Sequence, residues 1–291
     1  MSTVPAVNPH YKFPECTKLV MADIHAARPI MLTGHTGTGK TTLVQQLGAK
    51  ANRKVSRVNF NNQCSVSDFI GYNTVIGGSI TFIYGALVTA MKNGWWIILD
   101  EFDYGPPEIM AFLQSVLEEK ATLTLKENGG EVIEAHQDFR IFATANTAGC
   151  MDKFRFLYQG ANVLNAALLN RFNVYHIEYL KAHDETQTLV GLVNGLPKKL
   201  GEQMVKVANM ARDAFAREEL TSPFSTRQLI AWAKLTMDVA QQLKSDGDLA
   251  GVSNAPEIAA GPTIYNKLSP EDSNVMKDIV KRAVYDNKEE N

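Results

Sequence analysis

The sequence has little cysteine and no excess of basic charge, and both absences narrow the class of protein. Three cysteines, Cys16, Cys64 and Cys150, are scattered through 291 residues without metal-ligand spacing. They argue against a disulfide framework or a zinc site and favour a reducing compartment. With 29 Lys and Arg against 31 Asp and Glu, the net charge is -2. The basic surface needed to coat nucleic acid is missing, so we expect no nucleic-acid partner.

Long apolar runs are also missing. No run approaches the roughly 20 apolar residues that span a bilayer, and residues 1–13 lack the apolar core of a signal peptide. We therefore expect no membrane partner and a cytoplasmic location. The composition, 45% hydrophobic and 21% charged, is that of an ordinary globular protein large enough for one or two domains.

What the sequence does contain is an alternation of short apolar segments with longer amphipathic ones, from Arg28 to about Leu180. This pattern predicts an α/β fold in which parallel strands are joined by crossover helices. The predicted strands are Pro29–Thr33, Val55–Asn59, Trp95–Leu99, Phe139–Ala143 and Val174–Ile177. The predicted helices are Thr41–Ala51, Gly85–Lys92 and Pro107–Glu119.

Two segments interrupt this alternation and are predicted to be β-hairpins. Val75–Phe82 turns at a Gly-Gly pair, and Ala121–Ile133 turns around an Asn-Gly-Gly triplet. An insertion that a fold does not need for stability often carries function, although a surface decoration is at least as common.

After residue 180 the strand pattern ends and helical periodicity takes over. The clearest helical runs are Asp184–Val193, Glu202–Glu219 and Thr226–Leu243. Residues 245–263 are rich in Gly, Ala, Pro and Ser, which predicts a loop or flexible linker before a last helix near Pro270–Tyr285. We therefore predict a nucleotide-binding α/β domain over residues 1–180 and a helical domain over residues 181–291.

The stretch GHTGTGKTT matches the pattern G-x-x-x-x-G-K-[ST] between a predicted strand and a predicted helix. Backbone N–H groups of such a loop point at phosphate oxygens, and the following helix adds its positive N-terminal end. The candidate nucleotide-binding residues are Gly34, His35, Thr36, Gly37, Thr38, Gly39, Lys40, Thr41 and Thr42. Lys40 is expected to reach the β- and γ-phosphates of ATP, and Thr41 to offer its hydroxyl to Mg²⁺. The alternative is a Gly-rich turn with an accidental lysine, and the side chain of His35 is read as an ordinary loop residue.

A second motif, WWIILDE, is an apolar strand that ends in two adjacent carboxylates, Asp100 and Glu101. At the carboxyl edge of a parallel sheet, Asp100 is expected to hold a water molecule of the Mg²⁺ coordination shell, and Glu101 to polarise the attacking water. The alternative for this pair is an acidic cap on the following loop.

Three further polar residues are candidates for the same site. Asn146 ends the apolar stretch FATAN and could contact the γ-phosphate or the attacking water, although Asn is also a common turn former. Arg171, in LLNRF, needs an anionic partner, either a γ-phosphate in a neighbouring subunit or a local carboxylate. Arg227 lies near the start of a helix, where an acid is preferred, so an anionic ligand would explain it.

These motifs in this order resemble the AAA+ ATPases, specifically the MoxR branch and its CobS-type subunits of aerobic cobaltochelatase. The resemblance is carried by VNPHYKF, GHTGTGKTT, ILDEFDYGPPEIMAFLQSVLE, FRIFATANT, ALLNRF and SPFSTRQLIAWA, and it covers most of the chain. Within it, Ala121–Ile133 is similar to the pre-sensor hairpin and Val75–Phe82 to the helix-2 insert of that branch.

The resemblance implies a P-loop AAA+ core with a C-terminal helical lid and a ring, usually hexameric, with ATP between subunits. It assigns the Walker A roles to Lys40 and Thr41, the Walker B roles to Asp100 and Glu101, sensor 1 to Asn146, the trans-acting arginine finger to Arg171 and sensor 2 to Arg227.

The function implied by the resemblance is an ATP-hydrolysing motor that couples hydrolysis to inserting Co²⁺ into a corrin ring. The implied partners are a von Willebrand factor A domain subunit and a large chelatase subunit. A second hypothesis is the same motor activating another metalloenzyme with a von Willebrand factor A partner, as in the CbbQ and NorQ types. A nucleic-acid-remodelling module and a non-hydrolysing nucleotide-binding scaffold are the remaining alternatives.

Overall fold

A computed structural model describes residues 3–61, 63–146, 158 and 160–285. The chain divides into two compact units. The sheet unit comprises Met1–Asn8, Phe13–Gly34 and Gly39–Ile177, and the helical unit comprises Pro9–Lys12, His35–Thr38 and Glu178–Asn291. The tip of the glycine-rich loop therefore groups with the helical unit, while the two ends of that loop belong to the sheet unit.

The sheet unit alternates strands and helices. In chain order its elements are α1 (Thr17–His25), β1 (Ile30–Thr33), α2 (Lys40–Lys50), β2 (Val55–Asn59), α3 (Val66–Ile70), β3 (Gly71–Ile76), β4 (Ser79–Tyr84), α4 (Ala86–Asn93), β5 (Trp96–Asp100), α5 (Pro107–Leu113), β6 (Thr122–Leu125), β7 (Glu131–Glu134), β8 (Arg140–Ala145), α6 (Ala166–Leu169) and β9 (Asn173–His176).

Five of these strands form one parallel sheet in the order β2-β5-β8-β1-β9. They coincide with the five strands predicted from the sequence, so the predicted α/β fold with helices around a parallel sheet is confirmed. Every residue of β1 and β5 is buried, as expected for strands whose two faces are both covered by helices. Because β8 lies between β5 and β1, the carboxyl ends of these three strands meet at one edge of the sheet.

Aromatic side chains fill the core beside the carboxyl end of β5. The Phe102 ring contacts Phe60 and Phe172 edge-on, with ring centroids 5.4 and 5.7 Å apart, and Phe60 lies 5.2 Å from Phe69. Phe102 is fully buried. Since it directly follows the acidic pair, its packing anchors the turn that carries Glu101.

Both predicted hairpins are present, as the pairs β3–β4 and β6–β7. The hydroxyl of Tyr84 donates to a carboxylate oxygen of Glu131 at 2.9 Å, and the ammonium of Lys92 donates to Glu131 at 3.0 Å. The hydrogen bond from Lys92 lowers the pKa of Glu131. The tip of the first hairpin is apolar and exposed, and Val75 and Ile80 are the most accessible of its large hydrophobic side chains. The two insertions are thus connected to each other by polar contacts.

The helical unit contains α7 (Ala182–Leu192), α8 (Lys198–Ala216), α9 (Thr226–Ser245), α10 (Ala255–Thr263) and α11 (Pro270–Val280). The long helix α8 buries one face, on which small and apolar residues recur at helical spacing. Helix α9 begins with a reciprocal capping box. The Ser225 hydroxyl accepts a hydrogen bond from the backbone N–H of Gln228 at 3.2 Å, and the side-chain oxygen of Gln228 accepts one from the backbone N–H of Ser225 at 3.1 Å.

The prediction of a loop or flexible linker over residues 245–263 is wrong for most of that stretch. Residues Gly251–Asn254 form a 3-10 turn and α10 follows directly. Pro256 lies in the first turn of α10, where proline is tolerated, and the alanines of α10 pack inward with Ala259 and Ala260 fully buried. Their small size suits close packing against α9, which composition alone did not indicate.

Smaller differences concern helix ends. The predicted helix Pro107–Glu119 is α-helical only to Leu113 and continues as a 3-10 turn to Leu117. The last helix ends its α-helical part at Val280 and continues as a π-helical turn to Tyr285. The sequence analysis missed the short helices α1, α3 and α6. In the part of the chain that the structure describes, no helix is both long and apolar enough to cross a bilayer.

Trp232 holds α9 against α10, and its replacement tests this packing. Trp232 is fully buried and its indole N–H donates to the Pro256 carbonyl at 2.8 Å. Trp232→Phe leaves a cavity and removes the indole hydrogen bond to the Pro256 carbonyl, so the free energy of unfolding should fall by about 2–4 kcal/mol. The matched control is Trp95→Phe, since Trp95 is partly exposed and should lose less than about 1 kcal/mol. Equal losses in urea unfolding would contradict this role.

Candidate functional site

The glycine-rich loop joins β1 to α2, and two of its glycines are required by backbone conformation. Gly37 and Gly39 have positive φ angles of 74° and 93°. At Gly37 an added Cβ would also lie 2.7 Å from the Cβ of Ser225, the cap of α9. Within the helical unit, the loop tip therefore approaches the start of α9 so closely that only glycine fits.

Lys40 and Thr41 begin α2 and aim their side chains at neighbouring strand ends. The Lys40 ammonium donates to the Gly34 carbonyl at 2.7 Å and to the Asn146 side-chain oxygen at 3.1 Å, and Lys40 is buried. The Thr41 hydroxyl donates to a carboxylate oxygen of Asp100 at 2.8 Å. Thr42 follows on the same turn and is partly buried. Lys40, Thr41, Asp100 and Asn146, four of the predicted site residues, are thus brought together in the sheet unit.

The Asp100 carboxylate is almost fully buried, with 5% of its side chain exposed. Besides Thr41, the hydroxyl of Thr144 and the guanidinium of Arg57 donate to it. These contacts satisfy a buried charge that would otherwise be costly.

Glu101 adopts a backbone conformation that is unusual for a residue other than glycine. Its φ is 56°, and its side chain is exposed rather than buried. The Glu101 amide donates to the Thr144 hydroxyl at 3.2 Å. Such a conformation costs of order 1 kcal/mol and is typical of functional sites, where surrounding structure holds it in place. The turn therefore directs a carboxylate to solvent directly beside the buried Asp100.

Asp103 supports the other side of the site. It is fully buried, and its carboxylate accepts a hydrogen bond from the backbone N–H of Asn146 at 3.1 Å. Burial, together with the nearby carboxylates of Asp103 and Glu101, raises the pKa of Tyr104. The Tyr104 phenol is therefore neutral at physiological pH.

Arg171 has a carboxylate partner within the chain. Its Nε and one terminal nitrogen donate to a Glu118 oxygen at 3.0 and 2.7 Å, and another donates to the Ala167 carbonyl at 2.7 Å. The side chains of Arg171 and Glu118 are 28% and 58% exposed. The local salt bridge that the sequence left open is therefore present, in a partly exposed setting.

His35, Thr36 and Thr38, together with Arg227, belong to the helical unit. The Thr38 hydroxyl donates to the His35 carbonyl at 2.9 Å, which closes the loop tip. The His35 ring contacts the ring of Phe215 edge-on, with centroids 5.6 Å apart. Arg227 is the second residue of α9 and its side chain is exposed.

The oxygen donors at Thr41 and Asp100 fit a magnesium ion. Mg²⁺ prefers oxygen ligands and is usually bound through one or two protein groups plus substrate phosphates. Among residues 3–61, 63–146, 158 and 160–285, no group of three or more His, Cys, Asp or Glu could hold a metal on its own. A hydroxyl beside one buried carboxylate is therefore suited to an ion that arrives with a nucleotide.

Sequence reasoning missed three residues of this site, namely Arg57, Asp103 and Thr144. Thr144 lies within the quoted FATAN stretch, and the β5–β8 register pairs Leu99 with Ala143, so Asp100 and Thr144 are the next residues along each strand. A predicted strand order would have placed them side by side. Arg57 and Asp103 carry no motif signal of their own.

Two family models match this chain. The family model described as AAA domain (dynein-related subfamily) matches residues 29–172, and the model described as CbbQ/NirQ/NorQ C-terminal matches residues 185–245. The aerobic cobaltochelatase subunit CobS of Sinorhizobium sp is 34% identical over 241 residues, which are 79% of this chain and 72% of that protein.

The chain covers very different shares of two further relatives. The uncharacterized protein YojN of Bacillus subtilis (strain 168) is 27% identical over 243 residues, 78% of this chain and 77% of that protein. Midasin of Dictyostelium discoideum is 29% identical over 209 residues, 70% of this chain but 3% of that protein. Given the extent of the similarity to CobS and the phosphate-loop geometry, the chain belongs to the MoxR-like AAA+ ATPases and is a nucleotide-binding ATP hydrolase.

Proposed function

We propose that this ATPase is the motor subunit of a cobaltochelatase complex, in which ATP hydrolysis drives the insertion of Co²⁺ into a corrin ring held by a separate large subunit. The observation that carries the ATP site is the meeting of Lys40, Thr41, Asp100 and Asn146 at the carboxyl edge of the sheet. The load, meaning the complex on which this motor acts, is proposed to be cobaltochelatase because the chain is similar to CobS over most of both chains.

In the proposed mechanism the loop binds the phosphates of ATP. Backbone N–H groups of the glycine-rich loop and the N-terminal end of α2 bind the phosphate oxygens. The Lys40 ammonium donates hydrogen bonds to the Gly34 carbonyl and the Asn146 side chain. When ATP binds, it exchanges some of these hydrogen bonds for new ones to the β- and γ-phosphates. Thr41 and Asp100 would hold Mg²⁺, which would supply positive charge beside the phosphates. Arg57 neutralises the Asp100 carboxylate in this structure.

Glu101 is the proposed catalytic base. Its exposed carboxylate polarises a water molecule and accepts its proton, as the water oxygen attacks the γ-phosphorus and the bond to the β-phosphate oxygen breaks, giving ADP and phosphate. Asn146 orients the water or the γ-phosphate through its side-chain amide. Thr144 and the buried Phe102 hold the Glu101 turn, so the base is positioned before substrate binds.

We further propose that the chains form a hexameric ring, with Arg171 completing the ATP site of the neighbouring subunit and Arg227 acting as sensor 2. The pair between Arg171 and Glu118 is compatible with this role, because a partly exposed ion pair contributes only about 0–1 kcal/mol. A γ-phosphate of higher charge can displace Glu118 at that cost.

The two connected hairpins are the proposed route by which movement reaches the load. Tyr84, Lys92 and Glu131 join them, and the exposed apolar tip around Val75 and Ile80 offers a surface for the partner. A displacement of one hairpin is therefore passed on to the other.

The second candidate function is activation of another metalloenzyme together with a von Willebrand factor A partner. It is favoured by the match of residues 185–245 to the CbbQ/NirQ/NorQ C-terminal model. The motor chemistry is the same in both proposals, and only the load differs.

Glu101→Gln tests the proposed base. The change removes the carboxylate that polarises water but keeps the phosphate contacts, so ATP binding should persist while turnover falls about 100-fold or more. Lys40→Ala should instead lose ATP binding. Glu202→Gln, an exposed substitution on α8, is the matched control and should hydrolyse ATP at the wild-type rate. Undiminished turnover in Glu101→Gln would show that another group activates the water.

Subunit mixing tests whether Arg171 acts in trans. Arg171→Ala should bind ATP but hydrolyse it about 10³-fold more slowly. Mixed with Glu101→Gln, which retains Arg171, it should recover activity, because each Arg171→Ala subunit can then use its own Glu101 and the neighbour's arginine. If no mixing ratio restores turnover above the two separate proteins, Arg171 does not act across a subunit interface.

Affinity purification distinguishes the two loads. Tagged Glu101→Gln in Mg-ATP should hold the ATP-bound assembly, whereas Lys40→Ala under the same conditions serves as the nucleotide-free control. Specific recovery of a large chelatase subunit supports cobalt insertion. Recovery of an oxidoreductase or carboxylase with a von Willebrand factor A protein, and no chelatase subunit, would replace the first proposal by the second.

A further inference from the structure

A buried ion pair joins two helices of the helical unit. The guanidinium of Arg212 on α8 makes two hydrogen bonds to the carboxylate of Glu185 on α7, at 2.7 and 2.8 Å. The Glu185 side chain is fully buried and that of Arg212 is 11% exposed. A buried pair of this kind gives little stability over well-packed apolar residues, because both ions lose their hydration. The residues that this ion pair contacts therefore indicate which segments of the helical unit it holds in position.

The same pair fixes the start of α9. The Arg212 Nε donates to the Phe224 carbonyl at 2.9 Å, and the Thr226 hydroxyl donates to Glu185 at 2.5 Å. Phe224 and Thr226 stand on either side of Ser225, the cap of α9. The next residue is Arg227, so the pair sets the backbone from which that side chain projects.

The pair also contacts the tip of the glycine-rich loop through Tyr179. The Tyr179 ring lies over the Arg212 guanidinium, with 3.9 Å between the guanidinium carbon and the ring centroid. Tyr179 also contacts the loop itself: the His35 ring stacks on its ring with centroids 6.5 Å apart, and its hydroxyl donates to the Thr36 carbonyl at 3.1 Å.

The hydrogen bond to Thr36 controls the direction of an amide donor. In a planar trans peptide, the C=O and the following N–H point in opposite directions. Holding the Thr36 carbonyl toward Tyr179 therefore turns the Gly37 N–H away from Tyr179. The N–H groups of this loop are the proposed phosphate donors, and a glycine at this position is free to rotate unless something holds it.

We propose that Tyr179 is a positioning residue for the ATP site. Supported by the Arg212–Glu185 pair, it presets the Gly37 N–H for phosphate binding, and the same pair presets Arg227. This inference rests on the proposed ATP site and adds residues that no phosphate-loop motif contains.

Tyr179→Phe is the decisive variant, because it removes only the hydroxyl and keeps the ring over Arg212 and against His35. Losing this bond should weaken the binding of a non-hydrolysable ATP analogue with Mg²⁺ by about three- to tenfold. The KM for ATP should rise by a similar factor while kcat stays near the wild-type value. In the nucleotide-free protein, hydrogen exchange of the peptide containing residues 35–38 should become faster. Tyr265→Phe, which removes a 3.0 Å tyrosine bond to Glu257 in the same unit, is the matched control and should change none of these.

The possible results separate the inference from the proposed function. Wild-type protein that does not bind the analogue would overturn the ATP site and the inference with it. Wild-type binding with an unchanged affinity or unchanged loop exchange in Tyr179→Phe would overturn the inference alone. A fall in thermal stability equal to that of Tyr265→Phe, without a change in KM, would mean that the hydroxyl is only structural.

Arg212→Lys tests the second part of the proposal. It keeps the charge but loses the forked geometry that holds Glu185 and Phe224 together. Because it disturbs Arg227 as well as Tyr179, it should lower kcat in addition to raising KM. A rise in KM alone would overturn the link to Arg227.

Discussion

The hydrogen bond from Thr41 to Asp100 is the contact on which the site depends. It joins the first turn of the helix after the glycine-rich loop to the end of β5, a strand that is buried over its whole length. Backbone hydrogen bonds within the parallel sheet fix the end of β5 relative to the end of β1, from which the glycine-rich loop leads into α2. The hydrogen bond from Thr41 then holds the start of α2 against the end of β5. A hydroxyl and a carboxylate held together in this way provide a ready pair of oxygen ligands for the metal that accompanies ATP.

Placing Asp100 inside the protein requires support from other residues, and that support also shapes the neighbouring Glu101. Thr144 donates to Asp100 and accepts from the Glu101 amide, so one hydroxyl organises both acids. The buried Phe102 holds the strained turn from the other side. The buried acid is therefore placed at the proposed magnesium site, while the exposed acid is accessible to water. This division of roles follows from where the strand ends, because Asp100 is its last residue and Glu101 the first of the turn.

The sequence was sufficient to predict features that depend on local pattern. The five strands are short apolar runs, and the loop from Gly34 to Thr41 combines residue types that few other structures require. Features that depend on contacts between distant segments were not predicted, among them the bonds of Thr144 to Asp100 and of Tyr179 to Thr36. The alanine-rich stretch at 255–263 was misread because alanine and proline suit a linker as well as a closely packed helix. The sequence context of Arg171 indicates that it needs an anionic partner, and only the structure identifies the carboxylate of Glu118 as such a partner.

If Thr41 and Asp100 hold the magnesium ion, the binding of ATP must depend on Mg²⁺. The most direct measurement is a calorimetric titration of the protein with a non-hydrolysable ATP analogue, with and without Mg²⁺, in wild type and in Thr41→Val. We expect Mg²⁺ to strengthen binding by about tenfold or more in the wild type and to have little effect in the variant, which lacks the hydroxyl ligand. Binding that is equally strong with and without Mg²⁺ in both proteins would contradict the proposed roles of Thr41 and Asp100.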